Sequence, residues 1–140
     1  MPDCIVLLKL GVVMSKTKKI LIVDDEQDIL AYFEAMFQDN GYDTVLAKDG
    51  IEGFELAKSE KPDLITLDIT MPRRSGLKIY QQYKKHPALK HIPIIIVTAV
   101  DEFLEIFLDE LKELEPPEGI FYKPIDPKEI MKMIVNILSH

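Results

Sequence analysis

The stretch 62-PDLITLDITMPRRSG-76 decides the fold. Its residues 64–67, Leu-Ile-Thr-Leu, form the short, mostly apolar run that a strand buried on both faces requires. Pro62-Asp63 opens the run, and 71-MPRRSG-76 closes it with residues suited to a loop. Asp68 therefore falls where a strand ends and a loop begins. In open α/β sheets, ligands bind just outside the carboxyl ends of the strands. A lone Asp at such a place is better read as a cap on the turn that follows. A functional role needs other residues converging on the same edge.

Working outward, strand-like and helix-like segments alternate. The run 19-KILIVD-24 is a buried strand ending in acid, and residues 27–40 place Ile29, Leu30, Phe33, Met36 and Phe37 at helical spacing before Asn40-Gly41 stops the helix. A second strand, 43-DTVLA-47, leads to a helix from about Gly50 to Ser59 with Ile51, Phe54, Leu56 and Ala57 facing inward. After the third strand a helix runs from about Gly76 to Lys85, ended by His86-Pro87. The run 93-PIIIVTA-99 is the most strongly β-branched strand. A fourth helix begins near Asp101 and reaches Leu114, with Pro116-Pro117 beyond it. A short fifth strand follows at 120-IFY-122, and Pro127 opens a last helix through Leu138. Five strands alternating with five helices imply right-handed crossovers and a parallel sheet covered on both faces. That is an α/β, doubly wound, flavodoxin-like (βα)5 architecture.

Composition fits one such domain. The chain has 140 residues, 47% of them apolar and 29% charged, which is enough apolar material for a proper core. A net charge of -7 argues against nucleic acid as a partner, because phosphate backbones want a basic face. Cys4 is the single cysteine, so no internal disulfide can form, and a reducing cytoplasm is the expected setting. The apolar segment 5-IVLLKLGVV-13 is too short to span a membrane and is interrupted by Lys9. It lacks the flanks of a secretory signal, so no membrane association is expected. Met14-Ser15-Lys16 resembles a second start. Residues 1–15 are therefore read as an N-terminal extension, residues 16–140 as the domain, and no further domain is expected after the last helix.

Four strand ends carry polar residues on one edge: Asp24-Asp25 after the first strand, Asp68 after the third, Thr98 on the fourth and Lys123 after the fifth. Each has a bland explanation. The paired acids could cap a helix, the lysine could be surface, and the threonine could be there for its β propensity. Together, at the carboxyl ends of parallel strands, they point to one crevice. Three carboxylates there repel, and a hard divalent cation with oxygen ligands relieves them; Mg2+ suits, because it accepts one or two carboxylates plus waters and a phosphate. Lys123 adds a positive charge and Thr98 a neutral donor. This inventory suits a tetrahedral dianion approaching or attached to Asp68, as in an aspartyl phosphate.

The set resembles the receiver domain of two-component response regulators, of the stand-alone, chemotaxis-regulator-like type. The matching pieces are ILIVDDE at 20–26, D-x-x-M-P-x-x-x-G at 68–76, IIIVTA at 94–99 and Lys123-Pro124, so the likeness covers about residues 18–138. The resemblance implies that Asp68 accepts a phosphoryl group from a sensor histidine kinase or phosphotransfer protein. It implies Mg2+ held by Asp25 directly, by Asp24 mainly through water, by Asp68, and by the backbone carbonyl of Thr70. Lys123 would pair with the phosphoryl oxygens, Thr98 would turn inward to hydrogen-bond them, and the Lys123-Pro124 bond would be cis. Such a protein signals by contact with a downstream protein, and a second copy could dock through helix four, strand five and helix five.

Two places depart from the family pattern. Ile120 stands where the family has a switching aromatic, which puts the usual Thr-to-aromatic coupling in question. The interval from Thr98 to Lys123 is about three residues longer than is common, with 115-EPPEG-119 before strand five. Helix four is accordingly expected to be lengthened or differently ended. Two other classes compete with the phosphoacceptor reading: a phosphorylation-independent interaction module and a magnesium phosphatase with an aspartate nucleophile. The second acid that such a phosphatase commonly carries two residues after its nucleophile is here Thr70.

Overall fold

Ile20 and Ile22 pack on one face of the sheet and Leu21 and Val23 on the other, the period-two alternation of a strand, and all four are buried. The same alternation in the next central strands builds two cores. The computed structural model describes residues 17–69 and 76–139. Its strands are β1 (Lys19–Val23), β2 (Asp43–Ala47), β3 (Leu64–Asp68), β4 (Ile94–Thr98) and β5 (Gly119–Tyr122). Its helices are α1 (Gln27–Asp39), α2 (Gly50–Glu60), α3 (Gly76–Lys85), α4 (Leu104–Leu111) and α5 (Pro127–Leu138).

All strand pairs are parallel, in the order β2-β1-β3-β4-β5. The chain goes outward from β1 to β2, then crosses back to β3, so β1 and β3 are neighbours at the point where strand order reverses. One core lies under α1 and α5, where Leu30, Phe33 and Phe37 meet Ile130, Ile134 and Leu138 over Ile20, Ile22, Leu64, Ile95 and Val97. The opposite core holds Tyr80, Tyr83, Phe107 and Leu111 against Leu21, Ile65, Leu67, Ile94 and Ile96. Burying each large aliphatic side chain contributes about 1.5–3 kcal/mol. The doubly wound parallel sheet expected from the alternation is thus the observed fold. No helix among the described residues is long and apolar enough to cross a membrane.

The helix ends follow local chemistry. Gly41 takes a left-handed φ of 90° just after α1, as the Asn40-Gly41 pair suggested. At α2, Asp49 accepts from the Glu52 amide (2.8 Å) while the Glu52 carboxylate accepts from the Lys48 amide (2.7 Å). Asp126 caps α5 by accepting from the Lys128 amide, with Pro127 in the first turn.

Two expectations need correction. Ile51 does not face inward; it is 75% exposed. The buried residues of α2 are Gly50, Gly53 and Ala57, because small side chains let the helix lie close to its neighbours. A Cβ on Gly53 would stand 2.6 Å from the Tyr83 hydroxyl and 2.8 Å from Val23. Phe54 and Leu56 are only partly buried against that core.

Helix four is differently ended rather than lengthened. Its α-helical part is Leu104–Leu111. Asp101 starts the entry turn, its carboxylate accepting from the Phe103 amide and its carbonyl from the Leu104 amide. After Leu111 the chain tightens into bonds of three-residue spacing up to Leu114. The extra residues before β5 form a connection anchored on α3 and β4: the Tyr80 hydroxyl donates to the Glu115 carbonyl (2.7 Å), and Glu118 accepts from the Ile94 amide (3.0 Å).

Candidate functional site

The carboxyl edge of β1 and β3 gathers the acids. Asp24 follows β1 directly, and its backbone amide still donates to Ala47 of β2, so the turn leaves the sheet in a fixed direction. Its Oδ1 accepts from the Glu26 amide at 2.9 Å, which ties the start of α1 to the strand end. Asp68 is the last residue of β3. Both side chains are buried, at 2% and 1% exposure, whereas Asp25 and Glu26 are exposed. Carboxylate oxygens of Asp24, Asp25, Glu26 and Asp68 all lie within 4.8 Å of one another. Hard oxygen donors this close fit a divalent cation, and the group could hold a metal ion.

Lys123 reaches the same point from the far side. β5 lies two strands from β3, roughly 10 Å across the sheet. The Lys123 amide donates to the Thr98 carbonyl at 2.8 Å, and the Lys123-Pro124 bond is cis, as expected. From there the side chain extends over β4, and Nζ stands 3.1 Å from Asp24 Oδ2, 3.0 Å from Glu26 Oε1 and 3.2 Å from Asp68 Oδ2. The ammonium is the charge that lets these acids coexist.

Electrostatics record the crowding. Burial, and then the charge of Asp68, raise the Asp24 pKa to about 6 against the lowering effect of the Glu26 amide and Lys123. Burial alone would lower the Lys123 pKa. The hydrogen bond to Glu26 and the charges of Asp68 and Asp24 outweigh it, so the amine is held protonated above the usual lysine range.

Thr98 ends β4 beside this edge, buried, its hydroxyl donating to the carbonyl of Ala99 at 3.2 Å. Its register partner on β5 is Tyr122. Ile120 is partly buried against the core of Tyr80 and Phe107, and strand alternation puts exposed Tyr122 on its face of β5. Thr70, whose carbonyl was expected among the metal ligands, lies outside the described residues. The site thus joins Asp24, Asp25, Asp68 and Lys123, with Thr98 at its border. Glu26 was the missed member. The third consecutive acid after a strand was its signal, but nothing nearby in sequence marks Lys123 as its partner.

Residues 20–135 match the response regulator receiver domain family. The chain is 35% identical over 122 residues to the alkaline phosphatase synthesis transcriptional regulatory protein PhoP of Bacillus subtilis, covering 86% of this chain and 48% of PhoP. It therefore spans about half the length of that relative. It is 39% identical over 83 residues to the polar-differentiation response regulator DivK of Brucella ovis, covering 59% of this chain and 68% of DivK. Among solved structures, the chemotaxis response regulator CheY4 of Vibrio cholerae superposes with a TM-score of 0.75 at 27% identity, covering 88% of this chain and all of CheY4. A putative response regulator from Chloroflexus aurantiacus gives 0.76 at 27% identity, covering 89% of this chain and 100% of its own. With a doubly wound sheet, an acidic edge crossed by one lysine, and a family match over most of its length, the chain belongs to the receiver domains of two-component response regulators.

Proposed function

We propose that this chain is a phosphoacceptor. The Asp68 carboxylate takes a phosphoryl group from a phosphohistidine on a sensor histidine kinase or phosphotransfer protein, and the modified domain signals by contact with a downstream protein. One observation carries the reading: the Lys123 ammonium lies 3.2 Å from Asp68 and 3.1 Å from Asp24, at the carboxyl edge of the sheet. A fixed cation there stands where charge develops on a transferring phosphoryl group.

An Asp68 oxygen forms a bond to phosphorus, the bond from phosphorus to the histidine nitrogen breaks, and the imidazole leaves with the electron pair. Lys123 donates to the phosphoryl oxygens. Thr98 leaves its Ala99 carbonyl and donates to the same group. Asp24, Asp25, Asp68 and the Thr70 carbonyl would hold Mg2+, which when bound supplies further positive charge for the phosphoryl oxygens.

In this reading residues 16–140 form the receiver unit, residues 1–15 an extension, and the protein works in the cytoplasm without touching nucleic acid. The test is incubation with acetyl phosphate, with and without Mg2+, followed by intact mass. A gain of about 80 Da, the mass of one phosphoryl group on a carboxylate nucleophile, is expected only with Mg2+ and is lost in Asp68→Asn. An undiminished adduct in Asp68→Asn would sink the assignment. A wild type that takes no phosphoryl group would favour the phosphorylation-independent interaction module.

A further inference from the structure

We propose that Glu26 is a positioning residue, which keeps the Lys123 ammonium at the site when Asp24 and Asp68 are engaged by a metal ion. This rests on the phosphoacceptor reading of Asp68. An ammonium has three N–H donors. Lys123 Nζ meets three carboxylates, Glu26 at 3.0 Å, Asp24 at 3.1 Å and Asp68 at 3.2 Å, so each donor has an acceptor. Two of those acceptors, Asp24 and Asp68, are buried acids that the phosphoacceptor reading gives to a divalent cation, while Glu26 is the exposed member of the same acidic group; the cation would also repel the ammonium.

Glu26 is placed differently. Its side chain is 61% exposed, against 3% for Asp24 and 1% for Asp68, so it forms the solvent rim of the cluster. Its backbone is fixed, because its amide donates to Asp24 Oδ1. Its side chain makes no capping bond to α1. Lys123 already contacts Glu26 at 3.0 Å, so it keeps an anionic partner at the rim of the cluster when its other two acceptors are engaged. Without Glu26, none of the three carboxylates that Lys123 Nζ contacts is left to hold it once the two buried acids are engaged.

The test uses the full chain labelled with 15N at the lysine side-chain nitrogens, titrated with magnesium chloride and observed by NMR. Backbone amide shifts of Asp24, Asp25 and Asp68 report ion binding independently. In the wild type, an ordered Lys123 ammonium signal is expected with and without Mg2+. In Glu26→Ala it should be present without the ion and lost at saturation. Phosphorylation by acetyl phosphate at saturating Mg2+ should then slow by roughly threefold, the scale of a partly exposed ion pair. A Glu26→Ala protein that binds Mg2+ and keeps its ordered Lys123 signal overturns the inference, as does a wild type that loses the signal. If the amide shifts never respond to Mg2+, the metal site of the phosphoacceptor reading fails, and the role of Glu26 falls with it.

Discussion

Thr66 lies on the α1–α5 face of β3, one pleat from Leu64, with its hydroxyl buried and no hydrogen-bond partner among the described residues. An unmet buried hydroxyl costs about 1–3 kcal/mol, and valine has nearly the same shape. Thr66→Val is expected to raise stability by about 1 kcal/mol, read as a higher denaturant midpoint at unchanged slope. A lower midpoint would mean that the hydroxyl has a partner. Asp24 gives the opposite case, a polar group whose burial serves the site at the expense of stability. A carboxyl that holds its proton more tightly in the folded chain adds stability in full below its ordinary pKa of 3.8, and that contribution is lost as pH rises through about 6. Asp24→Asn should therefore stabilise the metal-free protein at pH 7.5, by on the order of 2 kcal/mol, with the gain disappearing near pH 4. Melting curves of both proteins across that range check the sign. A gain that persists undiminished at pH 4 would refute the titration of Asp24 as its cause.

Elements were legible where one period dominated. The buried runs at 20–23, 64–67 and 94–97 could only be central strands, and Phe33 and Phe37 set the inner face of α1. The inner face of α2 was not legible, because it is made by what is missing. Gly50, Gly53 and Ala57 recur at helical spacing, yet a search for bulky apolar residues passes over them and selects Ile51. Only the tertiary partners reveal the reason: the Tyr83 hydroxyl donates to the Gly50 carbonyl at 3.1 Å and leaves no room for a side chain on Gly53. Gly53→Ala gains helix propensity of about 1 kcal/mol, but overpacking against Tyr83 and Val23 costs about 1–3 kcal/mol. A net loss of roughly 1 kcal/mol is expected. In a Tyr83→Phe background the loss should shrink, since the nearest atom is gone, and a double-mutant cycle measures that coupling. Equal losses in both backgrounds would place the strain elsewhere.

At the scale of the whole molecule, topology made the site readable in outline and hid its finest contact. Parallel strands bring Asp24, Asp68, Thr98 and Lys123 to one edge whatever their separation in sequence. The pairing of Glu26 with Lys123, 97 residues apart, depends on which rotamer spans β4. The same view isolates the entry to α4, beyond the site. Phe107 and Leu111 of that helix are buried, while Val100, Phe103 and Ile106 are 68%, 37% and 57% exposed. Apolar side chains grouped at the surface mark contact sites. The occupant expected there from the family resemblance is a second copy of this chain, meeting it through α4, β5 and α5. Each copy carries a net charge of -7, so the two repel at low salt and the apolar contact must overcome it. Self-association of the phosphorylated protein should therefore strengthen as ionic strength rises. Phe103→Ser with Ile106→Ser should abolish it while leaving stability within about 1 kcal/mol and phosphorylation unchanged, because neither side chain belongs to the buried stripe. Sedimentation velocity at two salt concentrations, with acetyl phosphate and Mg2+ present, reads both effects. A double variant that unfolds would make these residues core, and one that associates as strongly as the wild type would remove the entry to α4 from the interface.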